Sequence, residues 1–478
     1  MAPQNKNQNH EKSIILEDEK KTYLFEEMPI GKAVMQLSVP TVMGCLVMIL
    51  YNLADTYFVG MLNDPRETAA VTFGATVILA FNAVTNLFGT GTSSLMSRAL
   101  GVKDYDTFKR TSAFGFYAGL ILSILFSVAT VIFNAPLLKL LGAVGDNVAP
   151  TRDYLFWTVV CGAVPAITNV IMANLVRSEG NALHASIGTM SGCLLNIILD
   201  PFFILPFGLN MKAAGAGLAT FISNTVACLY FFILLYVKKG KTNVSINIRD
   251  LRPNKYIVKE VFIVGIPASI QNILNVTGMT VMNNSMAVFG SEAVSAMGIA
   301  HKTTMIPMYV SMGIAQGILP LVGYNFASGN KKRMSKTIVF ATSIGMGIMV
   351  IATALFWVGA GSIIRCFMSN SLIVEYGTAF IRGLCLAQPF LSLDFTAVGV
   401  FQACGLGKTS LVFAILRKVV FEIPAMILLN KLVPMYGLAY AQLVAEVILA
   451  VAAVIKLRKI MRPQPSTQEA EVFPKANG

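Results

Sequence analysis

The sequence repeats one feature too often for a soluble protein: blocks of about twenty or more apolar residues. Each is long enough to cross the roughly 30 Å hydrocarbon core of a bilayer as a helix rising 1.5 Å per residue. They fall near 37–60, 68–92, 111–134, 152–176, 183–206 and 213–237, then near 258–282, 291–325, 336–358, 374–400, 408–430 and 436–457. Only 13% of the 478 residues are charged, against roughly 25% in a soluble domain, so no water-facing coat can cover these blocks. The predicted fold class is an all-α membrane protein with twelve transmembrane helices, multi-pass in the lipid bilayer of a cell membrane. The eighth block is unusually long, and a break is expected near Pro307 or Pro320.

A net charge of +13 would suggest nucleic acid in a soluble protein, but its distribution reports topology. Basic residues crowd alternate connections: Arg98, Lys103, Lys109 and Arg110; Lys238, Lys239, Lys241, Arg249 and Arg252; Lys331, Lys332, Arg333 and Lys336; Lys456, Arg458, Lys459 and Arg462. This positive-inside bias places both termini and the connector after the sixth block in the cytoplasm. No nucleic-acid partner is expected. The first 35 residues are polar and read as a tail without a cleavable signal, so the first span is the expected targeting signal. The seven cysteines are scattered, with no CxxC pair, and read as small buried hydrophobes rather than metal ligands.

The two halves echo each other at an offset of about 220–228 residues. Pro40 opens the first span and Pro267 the seventh; Ala99 and Gly101 return as Ala327 and Gly329; Gly217, Leu218 and Ala219 return as Gly437, Leu438 and Ala439. Six spans per half is an even number, so the repeat is parallel. The expected division is a tail (1–35), an N-lobe (36–237), a linker (238–257), a C-lobe (258–458) and a second tail (459–478). In transporters built this way, the binding site lies between or within the halves.

A carboxylate at mid-membrane costs about 2.5–3.5 kcal/mol on insertion scales and persists where it faces a partner or a polar cavity. The intramembrane acids are Asp55, Asp200, Asp394, Glu422 and Glu446; the bases are His301, Lys302, Arg382, Arg417 and Lys418. Asn196 and Asp200 sit four apart on one helix face, and Pro201 is expected to kink the helix beside them. Tyr51, Asn52 and Asp55 form a polar stripe on the first span, and Thr220 and Asn224 another on the sixth. Lys418 and Glu422, four apart, are expected to pair, whereas Glu446 has no partner legible in the sequence. Gly405, Gly407, Lys408 and Thr409 mimic the end of a phosphate loop, but Gln402 occupies the position that would need glycine.

The stretch from Tyr51 to Gly60, the Asn196–Pro201 run, the Gly215–Thr220 entry to the sixth span and the linker from Ser245 to Pro253 resemble the multidrug and toxic compound extrusion (MATE) transporters, particularly their MepA-like bacterial branch. The resemblance covers roughly residues 25–460. It implies two six-helix lobes around a V-shaped cavity, and export of organic, often cationic and aromatic, drugs in exchange for H⁺ or Na⁺. It also implies an ion-coupling cluster at Asp55, Asn196, Asp200 and Thr220, with no metal site beyond Na⁺ at that cluster and no cofactor other than the coupling ion. Some members carry a glutamate in the seventh span; here that stretch holds Gln271, Asn272 and Asn275. Tyr51, Asn224, Gln271, Asn275, His301 and Asp394 are candidates for the substrate cavity or a secondary site.

The nearest alternative is a flippase or exporter of a lipid-linked or other specific metabolite on the same architecture. A pyrophosphate carrier would line its cavity with arginines, and the first six spans hold almost no mid-membrane cation. An intramembrane enzyme is not expected, because the only histidines are His10, His184 and His301 and no HExxH occurs. Two lobes in one chain form a cavity without a partner, so a monomer is expected.

Overall fold

The computed structural model describes residues 19–462 apart from 63, 144 and 369. The ends of the two expected tails, 1–18 and 463–478, lie outside the described residues, as does His10. Six spans form the first half: α1 (Ile30–Gly60), α2 (Pro65–Gly101), α3 (Tyr105–Ile132), α4 (Gly145–Cys161 with Ala163–Ser178), α5 (Ala182–Ile204) and α6 (Lys212–Val237). Five more are α7 (Lys255–Ala287), α8 (Ser291–Ala327), α9 (Lys331–Phe367), α10 (Ser371–Cys385 with Gln388–Ala403) and α12 (Tyr436–Met461). Between α10 and α12, α11 is assembled from Gly407–Ile415, a π-turn over Leu416–Glu422, and Ile423–Leu432.

The sequence marks several starts with its own caps. Asp104, Asn330 and Asn370 accept backbone N–H groups at the heads of α3, α9 and α10, and Asn254 accepts from Ile257 N at 2.8 Å at the head of α7. Each such cap contributes about 1 kcal/mol. Helix α6 begins without one and is capped from a neighbour: Glu67 of α2 accepts from Ala213 N at 3.1 Å, with Lys212 Nζ 3.7 Å away. A buried carboxylate satisfies orphan donors at a positive helix end. Glu67→Ala is therefore expected to destabilise the protein by about 1–2 kcal/mol, read as a lower Tm in detergent.

One expectation about the spans needs correction, and two other spans carry bends that the sequence does not mark. The fourth and tenth blocks are not straight: α4 bends by 47° at Gly162 and α10 by 44° at Leu386 and Ala387. The bends fall at corresponding places in the two halves, one after a π-turn (Phe156–Cys161) and one just before Pro389. The eighth block, by contrast, is one continuous helix through both Pro307 and Pro320. Helix α8 packs against α1, α2, α9 and α10, and Gln388 of α10 donates to the Thr304 carbonyl at 3.4 Å within the turn before Pro307. Close packing by neighbouring helices lets a spanning helix carry proline unbroken.

The lobes meet through α1 against α8 and α2 against α7. Added Cβ atoms at Gly313 and Gly317 would lie 2.7 and 2.6 Å from the Cα atoms of Val42 and Ser38, and one at Gly265 would lie 2.1 Å from the Leu87 carbonyl. Small residues bring spanning backbones this close. Ser269 Oγ donates to the Ala83 carbonyl at 2.5 Å, Ser94 to the Gln402 carbonyl, and Arg98 Nη1 to Glu260 Oε2 at 2.8 Å. All these contacts lie between mid-membrane and the end of the bundle that carries the basic connections. These close approaches and polar bridges between the lobes form the barrier at the basic end.

The same end is strapped by segments outside the spans. Phe25 is fully buried and stacks on Tyr324 at 4.7 Å; Tyr324 Oη donates to Glu26 Oε1 at 2.5 Å. Arg333 donates to the Phe25 and Met28 carbonyls, both at 2.6 Å. Buried Glu179 accepts from Lys21 at 2.8 Å and from Thr242 and Asn243 N at 2.5 Å, holding the segment after α6 against the base of the first lobe.

Candidate functional site

Depth along each helix follows from 1.5 Å per residue. Tyr51 on α1, Asn196 on α5 and Thr220 on α6 all lie about 12–14 Å below the helix ends opposite the basic face. Asp55 and Asp200 lie one turn further out, about 6–8 Å from those ends. Helix α5 packs against both α1 and α6, so the three polar stripes converge.

Asp200 is fully buried and Asn196 is 1% exposed. With the Asn196 amide oriented to satisfy both its ends, its nitrogen donates to Asp200 Oδ2 at 2.9 Å, and its oxygen accepts from Thr220 N at 3.1 Å and Thr220 Oγ1 at 3.2 Å. The Tyr51 hydroxyl lies beside Thr220. Asp55 is near enough for its charge to repel that of Asp200, and its Oδ1 is buried with no hydrogen-bond partner among the described residues. Neither aspartate joins a salt bridge there. Two carboxylates, an amide and two hydroxyls form an all-oxygen-and-amide set suited to a proton or a hard monovalent cation, at a site whose negative charge is uncompensated.

Pro201 lies in the last turn of α5, which ends at Ile204, so a kink there would turn only the outer end of the helix, around Asp200. Asn224 is taken up by structure: it donates to the Thr220 carbonyl and accepts from Asn169 of α4, both at 2.9 Å.

Tyr154 of α4 was not legible as a site residue. It is buried beside Asp55, Tyr51 and Asp200. Its ring packs on Gly74, where an added Cβ would lie 2.2 Å from Tyr154 Cε1. A single tyrosine at the head of a bent span carries no local signal; the glycine across from it does so only once the helices are paired. Gly74→Ala must displace the ring. It is expected to lower ion-driven transport about tenfold while the chain remains folded, checked by transport assay beside the Tm.

The second lobe is arranged differently. Asp394 and Arg417 are 1% and 3% exposed and pair through Oδ2 and Nη1 at 2.9 Å. Arg417 also donates to Asn275 of α7 and lies over the Phe395 ring. Lys418 and Glu422 pair at 2.6 Å, as their spacing predicts. Gln271 accepts from Gln402 at 3.5 Å. His301 lies towards Lys418 and Glu422, with Nδ1 unpartnered among the described residues. Asp394 therefore answers a fixed guanidinium rather than an open cavity. Arg417, Lys418 and Glu422 all belong to the π-turn of α11, a local widening of the helix that often marks functional positions.

The family model described as MatE matches the chain twice, at residues 40–202 and 267–428, opening each time on the proline that begins the repeat. Over 91% of its length the chain is 35% identical to the multidrug export protein MepA of Staphylococcus aureus strain NCTC 8325 / PS 47, covering 94% of that protein. It is 34% identical to MepA of Staphylococcus haemolyticus over 92% of its length and 95% of the relative. Among solved structures, the outward-facing conformation of a multidrug resistance MATE family transporter of the MOP superfamily is similar at a TM-score of 0.87 and 25% identity, over 92% of this chain and 98% of that one. The chain is a multi-pass membrane protein that belongs to the MatE family, with that family's two six-helix lobes.

Proposed function

We propose that this protein is a secondary active multidrug efflux transporter that exports organic, often cationic and aromatic, compounds in exchange for H⁺ or Na⁺ at Asp55, Asn196, Asp200 and Thr220. The observation that carries the reading is the buried, uncompensated Asp55–Asp200 pair in its frame of Asn196, Thr220 and Tyr51. Relatives named for multidrug export, matched over nearly their whole length, support the substrate class.

The chemistry follows from charge. An uncompensated carboxylate pair inside a bilayer is costly, so it recruits a cation. A bound proton or Na⁺ lowers the negative potential of the lobe; its release restores a field that attracts a cationic drug. Ion and drug thus favour opposite charge states of one site, and that negative coupling is what antiport requires. The positive-inside bias supports the basic end in the cytoplasm, with both termini and the 238–257 linker there and the closed barrier facing inward. The cleft then opens outward between an N-lobe of 36–237 and a C-lobe of 258–458. The chain would work as a monomer, without a cofactor and without enzymatic chemistry. A lipid-pyrophosphate carrier fits less well, because Arg417 is committed to Asp394 and Asn275.

The test is movement of a fluorescent organic cation in proteoliposomes under an imposed H⁺ gradient and then a Na⁺ gradient. Uphill movement under one of them is the expected result and names the ion. Movement under neither would sink the drug-antiport reading.

A further inference from the structure

The second lobe holds a buried charge set that does not balance. Asp394 of α10, Glu422 of α11 and Glu446 of α12 bring three negative charges; Arg417 and Lys418 of α11 bring two positive ones. Asp394 and Glu422 each have a cationic partner, at 2.9 and 2.6 Å. Glu446 has none. It is fully buried, and neither of its carboxyl oxygens has a hydrogen-bond partner among the described residues.

The surroundings of Glu446 sharpen the imbalance. Helix α12 packs on α10 and on the π-turn of α11, and the charges that bear on Glu446 from these elements are Asp394, Arg417, Glu422 and Lys418. His301 of α8 lies beyond, towards Lys418 and Glu422. Arg382 of α10 turns away, donating to the Trp357 carbonyl at 3.2 Å. An ionised carboxylate with no partner in a dry interior is far more costly than a protonated one. Adding one proton brings the set from a net −1 to neutrality, and both existing ion pairs survive. The donor set does not suit a metal ion, since a guanidinium and an ammonium already pair with two of its three carboxylates.

We propose that the Asp394–Arg417–Lys418–Glu422–Glu446 cluster is a second proton-binding site, in the C-lobe, and that Glu446 is the carboxyl that carries the proton. Asp394 and Glu422 each already have a cation at ion-pair distance, whereas both oxygens of Glu446 are buried without a partner among the described residues, so the proton is assigned to Glu446. The site shares no residue with the Asp55–Asp200 cluster. The inference does not require the antiport reading, because it concerns a proton bound in the resting protein.

The experiment is infrared spectroscopy of the full chain in liposomes, reading the carbonyl stretch of buried protonated carboxyls across a pH titration. At neutral pH the parent should show such a band. Glu446→Gln should remove a component of it that Asp200→Asn leaves in place. A band unchanged in Glu446→Gln overturns the proposal. If that variant does not fold, the parent labelled with ¹³C-glutamate serves instead: a component of the band must move with the glutamate label. A neutral-pH spectrum whose protonated band follows only the aspartate label also overturns it. Failure of efflux in proteoliposomes bears on the function proposed above and leaves this result standing.

Discussion

Asp200→Asn is expected to abolish uphill efflux altogether, leaving only the leak of empty liposomes. The substitution keeps the size of the side chain, and its amide oxygen can still accept from Asn196, whose own amide stays anchored on Thr220. The helix frame of α1, α5 and α6 should therefore stand, with a Tm close to that of the parent. What is lost is the charge that ion and drug contest. A transporter whose drug-binding charge no longer depends on the ion has no coupling free energy between the two sites, and no gradient can then drive the drug. Binding of a monovalent organic cation should weaken about tenfold, or about 1.4 kcal/mol, while a neutral drug should bind nearly as before. Asp55→Asn should weaken transport less, because Asp200 retains its charge and its hydrogen-bonded frame. Parent-like uphill transport by Asp200→Asn would refute the N-lobe coupling reading. Loss of transport together with a collapsed Tm would assign Asp200 to the scaffold.

The legible and illegible parts of this protein separate along a physical line. Hydrophobic length sets the spans because the bilayer imposes one thickness on all of them, and helix period places Asn196 beside Asp200 because both lie on one helix. The Lys418–Glu422 pair follows from the same local rule. Asp55 and Thr220 joined the cluster through family resemblance, since nothing in their own spans says which neighbour they will face. Relations between helices left no local trace. The Asp394–Arg417 pair joins two helices, and Tyr154 reaches the site only after α4 packs beside α2 and α6. The bends in α4 and α10, and the continuity of α8 through two prolines, depend on how neighbouring helices pack against them. The first described residues read as a polar tail, yet Leu24 and Phe25 are buried, because Tyr324 and Arg333, some three hundred residues away, provide a surface for them.

The barrier at the basic end makes the second large prediction. Arg98 is 4% exposed and pairs across the lobes with Glu260 at 2.8 Å. Gly405, at φ +75°, lies against the same guanidinium: an added Cβ there would come within 2.6 Å of Arg98 Nη1. The left-handed backbone and the close approach both demand glycine, so the α10–α11 turn is shaped around this arginine. Truncating one partner of a buried, hydrogen-bonded charge pair costs 2–5 kcal/mol; Glu260 is partly solvated, which favours the lower end. Arg98→Glu should therefore disfavour the closed barrier by about 2 kcal/mol, roughly a thirty-fold shift towards separation of the lobes at that end. Spin labels at the basic ends of α3 and α9 should report a longer, broader distance. The exchange Arg98→Glu with Glu260→Arg should recover most of the parent distribution, because the pair re-forms even where the turn at Gly405 fits it less well. Unchanged distances in Arg98→Glu would mean that the barrier rests on the glycine-mediated packing of α1 on α8 and α2 on α7. In that case Gly317→Leu, which would drive a side chain into Ser38, is the substitution that should open it.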